Sequence, residues 1–119
     1  MTGCIPSGKL TVTGYIMLHG NHMNSVYNAS SGLYDFDRSF EEVKELLIES
    51  DFTIGNLETT FSGGFSDYPL LSTSDVFGYT LKNAGFDFVS TANNHSADNL
   101  KSGIVSTIET LGQMGIDYA

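Results

Sequence analysis

Hydrophobic and polar positions change period several times along the chain, and each change marks a predicted element. Leu10-Thr11-Val12-Thr13 passes through Gly14 into Tyr15-Ile16-Met17-Leu18, a β-branched and apolar stretch that reads as a first strand. The Asn-, Ser- and Gly-rich stretch from His19 to Asp37 predicts a long loop. Ser39 with Glu42 three residues later forms a capping box, and Phe40, Val43, Leu46 and Leu47 follow at helical spacing, so a first helix is expected to end near Ser50. Phe52-Thr53-Ile54-Gly55-Asn56-Leu57 reads as the second strand, and the stretch 58–73, with Gly63-Gly64 and Pro69, as a second loop. A short helix is expected from Ser74 or Asp75 to Ala84, stopped by Gly85. Phe86 to Ala92 is the third strand, with Phe86 and Phe88 as its core positions. A third helix presents Ile104, Ile108 and Leu111 on one face and closes at Gly115, and Ile116 to Ala119 begin a fourth strand.

Strands alternating with helices favour parallel pairing and right-handed crossovers. The expected fold is therefore α/β and layered, with three to four mainly parallel strands and three helices in a single domain over residues 1–119, of which 1–8 form a flexible N-terminal segment. So narrow a sheet leaves unpaired edges, from which self-association is expected.

Composition narrows the choice of partner. Five Lys and Arg against fourteen Asp and Glu give a net charge of −9, which argues against nucleic acid or an anionic membrane surface, because both need clustered cations. With 40% hydrophobic and 16% charged residues in 119, the chain lies far from disordered compositions. Its single cysteine, Cys4, excludes an intrachain disulfide and a multi-cysteine metal site. Thr2-Gly3-Cys4 looks like the tail of a lipoprotein cleavage site, but no apolar stretch precedes it, and no apolar run is long enough for a transmembrane helix. Asn28-Ala29-Ser30 and Asn94-His95-Ser96 fit the glycosylation pattern, which is short enough to recur by chance.

Candidate chemistry gathers where predicted strands end. The first strand runs into His19-Gly20-Asn21-His22, the second into Asn56-Leu57-Glu58, and the third into Asn93-Asn94-His95 with Asp98 three residues on. In open parallel sheets ligands bind beyond the carboxyl ends of the strands, so parallel strands would bring these clusters to one edge. Imidazole, carboxylate and amide oxygen are ligands for zinc, manganese or iron, and a histidine titrating near neutrality protonates leaving groups. The bland readings are a turn residue for His22, turn-forming for the Asn pair, core cover for Tyr27, Tyr34, Phe36, Phe61, Phe65 and Tyr68, and a solvated face for Glu41, Glu42, Glu45 and Glu49.

Four blocks carry a family resemblance: Gly14-Tyr15-Ile16-Met17-Leu18-His19, Gly55-Asn56-Leu57-Glu58-Thr59, Ala84-Gly85-Phe86-Asp87-Phe88-Val89-Ser90 and Ala92-Asn93-Asn94-His95-Ser96-Ala97-Asp98. In this order they resemble the bacterial capsule-synthesis (CapA-type) family of poly-γ-glutamate production, whose fold is similar to calcineurin-like metallophosphoesterases. The resemblance runs from about residue 8 to the end and covers the N-terminal half of such a domain, which implies a chain truncated at its C-terminus. It implies Glu58 as a metal-binding carboxylate, Asn94 as an amide ligand, His95 as the residue that protonates the leaving group or steadies the substrate, and Asp98 as the residue that orients His95 or caps the third helix. His19 is a nearby donor to compensate for Tyr15, and Asn56 and Asn93 are candidate substrate contacts. The implied cofactor is a divalent ion (Mn, Zn, Fe or Mg) with no organic cofactor, and the implied reaction is attack of metal-polarised water on a phosphoester or related bond. The family's first motif carries Asp where this chain has Tyr15, and a phenol is a poor metal ligand near neutrality.

Two functions follow from the resemblance. One is a metal-dependent hydrolase of capsule biosynthesis with little or no activity as this fragment. The other is a non-catalytic binding or assembly module of cell-envelope polymer machinery with a degraded metal site. Polymer or phosphoester substrates, homo-oligomers and capsule-synthesis machinery are the expected partners. The expected location is the cell envelope or beyond, or the cytoplasm if the chain is complete without a leader.

Overall fold

The structure, a computed structural model, describes residues 7–119; Cys4 and most of the segment expected to be flexible lie outside the described residues. β1 (Leu10–Ile16) leads into α1 (Gly20–Val26), a hairpin of β2 (Tyr27–Asn28) and β3 (Leu33–Tyr34), a 3-10 turn at Phe36–Ser39, and α2 (Lys44–Ile48). Next come β4 (Phe52–Leu57), β5 (Thr60–Phe61), β6 (Ser72–Thr73), α3 (Val76–Ala84), β7 (Phe88–Ser90), α4 (Leu100–Met114) and β8 (Asp117–Tyr118). The main sheet has the order β1-β4-β7-β8 and every pairing in it is parallel. This is the α/β arrangement expected from the alternating pattern, and the fourth strand begins where Ile116 predicts it.

Register explains how the sheet aims its ends. Ile16 lies opposite Leu57, and Asn56 lies between Tyr15 and Ser90. The β1–β4 register shifts between Val12 and Tyr15, around Gly14, and the bulge turns the end of β1 relative to its start. Side chains of Thr53 and Leu57 on one face of β4 are buried. They meet a core in which Phe61, Phe77, Phe86, Leu81, Val89 and Leu111 are almost wholly withdrawn from water. Phe77 packs edge-on to Phe36 with ring centroids 5.3 Å apart, and Phe86 packs edge-on to Phe40 at 5.8 Å. The helices α3 and α4 end in left-handed glycines, Gly85 and Gly115, as their positions predict.

Four expectations give way to tertiary effects. The stretch expected to be a loop contains α1, whose seven residues have weak helix propensity. Met23 and Val26, three positions apart, bury its one apolar edge, and the distant Asp67 accepts the Gly20 N–H at 3.1 Å in its first turn. The capping box does not form. Ser39 Oγ is engaged by His22 Nε2 at 2.7 Å, and α2 starts later, at Lys44, without a side-chain cap.

The face of α4 also differs. Ile104 and Ile108 are 40% and 39% exposed, while Gly103, Thr107, Thr110 and Leu111 are buried. Gly103 allows close approach to Thr60, and Thr107 Oγ1 accepts the Phe61 N–H at 2.9 Å while donating to Gly103 O at 2.7 Å. Here hydrogen bonding and small size select the buried face, and hydrophobic period does not. Among the aromatics expected to cover the core, Phe36 and Phe61 do so, but Tyr27, Tyr34, Phe65 and Tyr68 remain substantially exposed.

Gly55 sits where β4 crosses the core. A β-carbon there would run into Ile16 Cδ1 and come within 2.9 Å of Phe86 Cε1, whereas one on Gly14 meets nothing within 4 Å. Gly55→Ala is expected to lower unfolding free energy by about 1–3 kcal/mol through overpacking, and Gly14→Ala to cost clearly less, as read from urea unfolding midpoints.

Candidate functional site

The carboxyl ends of β4 and β7 are tied together by side-chain amides. Asn93, just past β7, donates through Nδ2 to Leu57 O at 2.8 Å and to Asn56 Oδ1 at 3.0 Å. Asn56 in turn donates through its own Nδ2 to Glu58 Oε1 at 2.9 Å, so a continuous chain of hydrogen bonds joins both strand ends to the buried Glu58. The same Asn93 accepts the His95 N–H on Oδ1 at 3.0 Å and thereby shapes the turn that carries the histidine.

His95 is held from its other side. Its Nδ1–H donates to Asp98 Oδ2 at 2.7 Å, and the two side chains are only 11% and 9% exposed. The same Asp98 oxygen accepts the Leu71 N–H at 2.6 Å. A carboxylate accepting from Nδ1 fixes the ring's tautomer and leaves Nε2 as the nitrogen available to a ligand.

The remaining histidines are occupied elsewhere. His19 is exposed; its Nδ1 lies 3.1 Å from Asp67 Oδ1, and its Nε2 lies 3.1 Å from Met17 Sδ. The Tyr68 N–H, then His19 and the Gly20 N–H, hold the Asp67 carboxyl below the usual carboxylate range. His22 is bound to Ser39, and burial pushes its imidazole below the ordinary histidine range. Asn94 is exposed and its side chain makes no hydrogen bond within the described residues. Tyr15 is 76% exposed and lies opposite Asn56 in the sheet.

Sequence position therefore brings together Asn56, Glu58, Asn93, His95 and Asp98, whereas His19 is drawn to Asp67. Among the described residues Glu58 is bonded by Asn56 and His19 by Asp67, and no hydrogen bond links Glu58, Asn94 and His19 to one another. Among the described residues no three His, Cys, Asp or Glu side chains gather as an ion would require. The donor set as arranged is not a preformed divalent-metal centre. Three contributors went unread in the sequence: the Leu71 backbone, Asp67, and Asn99, whose Nδ2 donates to Thr60 Oγ1 at 2.6 Å and secures the β5 segment beside the site. Asn99 immediately precedes α4, and that position was its one available signal.

Comparison with known proteins follows the same residues. Residues 9–119 match the family described as bacterial capsule synthesis protein PGA_cap. A Bacillus anthracis protein described as capsule biosynthesis protein CapA is 32% identical over 119 residues, taking in 92% of this chain and 28% of the relative. This chain thus spans little more than a quarter of that relative's length.

Asp98→Ala is expected to cost about 1–3 kcal/mol, because it strands the Leu71 N–H and the His95 ring at once; urea unfolding measures it. His22 gives a pH test. The unfolded chain takes up a proton on His22 more readily than the folded one, so stability should fall as pH drops through the ordinary histidine range. The slope of unfolding free energy between pH 8 and pH 5 should be shallower in His22→Gln.

Proposed function

The chain belongs to the bacterial capsule synthesis protein family, and from that premise we propose that it acts in capsule polymer biosynthesis through the polar corner at the ends of β4 and β7. In this reading His95, oriented by Asp98, steadies the substrate through Nε2, and Asn56 and Asn93 contact a polar polymer or phosphoester substrate. Glu58 and Asn94 are donors available to a divalent ion, but the arrangement of the described residues leaves them short of a complete set. Little or no hydrolysis is accordingly expected from this chain alone, and its contribution is binding and positioning at the cell envelope. The observation that carries the reading is the Asp98-held, nearly buried His95, tied through Asn93 and Asn56 to Glu58.

A second reading is favoured by the relative's greater length. A longer polypeptide or a partner would supply further carboxylate or imidazole donors opposite Glu58 and complete a metallophosphoesterase-type hydrolase, with poly-γ-glutamate synthesis as its setting.

Metal content after purification and hydrolysis of bis(p-nitrophenyl) phosphate with Mn²⁺ test the choice. The proposal expects no tightly bound ion and no turnover above the His95→Ala background, while Tyr15→Asp should gain measurable ion affinity. Two ions bound per chain, or turnover abolished by His95→Ala, would overturn it.

A further inference from the structure

A cavity of about 450 Å³ opens beside the C-terminal end of β1 and shares no residue with the Glu58–His95 corner. Its size lies within the roughly 300–1,000 Å³ range of small-molecule sites. Ile16, Val26 and Phe77, all buried, supply its apolar wall, with Phe40 beside them. His22, Arg38, Ser39 and Glu41 supply its polar rim.

Arg38 is the unusual member. It is the chain's only arginine, one of five cationic residues against fourteen acidic ones. Among the described residues its guanidinium forms no ion pair and no hydrogen bond, although Glu41 shares the rim. Two of the other rim groups are already committed: His22 Nε2 and Ser39 Oγ hold one another at 2.7 Å. Burial pushes the His22 imidazole below the ordinary histidine range, which disfavours its charged form.

We propose that this cavity is a second ligand site, for a small amphipathic carboxylate whose hydrocarbon body lies on the apolar wall and whose head is gripped by Arg38. The planar fork of a guanidinium matches the two oxygens of a carboxylate. A single cation beside Glu41 favours a monoanionic head, because a dianionic phosphate would meet the Glu41 charge with only one cation to offset it. An apolar wall without Arg38 would hold an uncharged alcohol equally well, so the charge of the head decides the matter.

The test is a titration of the full ¹⁵N-labelled chain with hexanoate, hexanol and hexyl phosphate, followed by amide chemical shifts. Hexanoate should saturably shift Val26, Ser39 and Phe40 and leave Asn93 and His95 unmoved. Hexanol and hexyl phosphate should bind more weakly. Arg38→Ala should weaken hexanoate about tenfold or more, and Arg38→Lys should fall between, keeping charge but losing the fork. Because Arg38 is exposed, both variants should retain the parent spectrum elsewhere. Equal binding of hexanol and hexanoate, an unchanged affinity in Arg38→Ala, or shifts centred on Asn93–Asp98 would overturn the assignment.

Discussion

A single carboxylate oxygen organises the polar corner of this molecule. Asp98 Oδ2 receives the backbone N–H of Leu71 at 2.6 Å and the ring N–H of His95 at 2.7 Å, in a setting almost closed to water. It thereby joins the loop before α4 to the segment leading into β6, two parts of the chain 27 residues apart. A desolvated carboxylate is costly unless donors meet it, and here two donors meet Oδ2. The histidine is fixed by the same contacts that fix the backbone. Structural and chemical roles coincide in one group, and substitutions at Asp98 therefore act on both.

Parallel pairing does the rest of the positioning. With β4 and β7 side by side and in register from Ile54 to Asn56, their carboxyl ends emerge together, and Asn93 needs only one side chain to bond both Leu57 and Asn56. The edge strand β1 ends beside a different feature, the cavity rimmed by Arg38. The chain thus carries two polar-rimmed regions near strand ends, one dominated by acid and amide groups and the other containing its only guanidinium. Capsule biosynthesis is the family's setting, and this chain spans 28% of the Bacillus anthracis relative.

Much of this was legible because local signals and tertiary demands agreed. Phe52–Leu57 alternates as a half-buried strand should, and Gly85 and Gly115 stop α3 and α4 where left-handed caps are needed. The convergence of Asn56, Glu58, Asn93, His95 and Asp98 followed from the rule that ligands gather at parallel strand ends. What stayed hidden depended on partners far away in sequence. The helix α1 has little propensity of its own, and its first turn is served by Asp67, 47 residues on from Gly20. Ser39 looks like a cap in sequence, but His22 claims its hydroxyl. The buried face of α4 is chosen by Gly103 and Thr107, residues that a hydrophobic period passes over. His19 was drawn from the site by the same Asp67 that serves α1.

The orientation of His95 is the claim on which the account turns, and ¹⁵N chemical shifts of its ring measure it directly at a pH where the ring is neutral. The account predicts one tautomer, with the proton on Nδ1, a bare Nε2, and the Nδ1 proton slow to exchange with water. A ring averaging between tautomers, or one protonated on Nε2 alone, would contradict it.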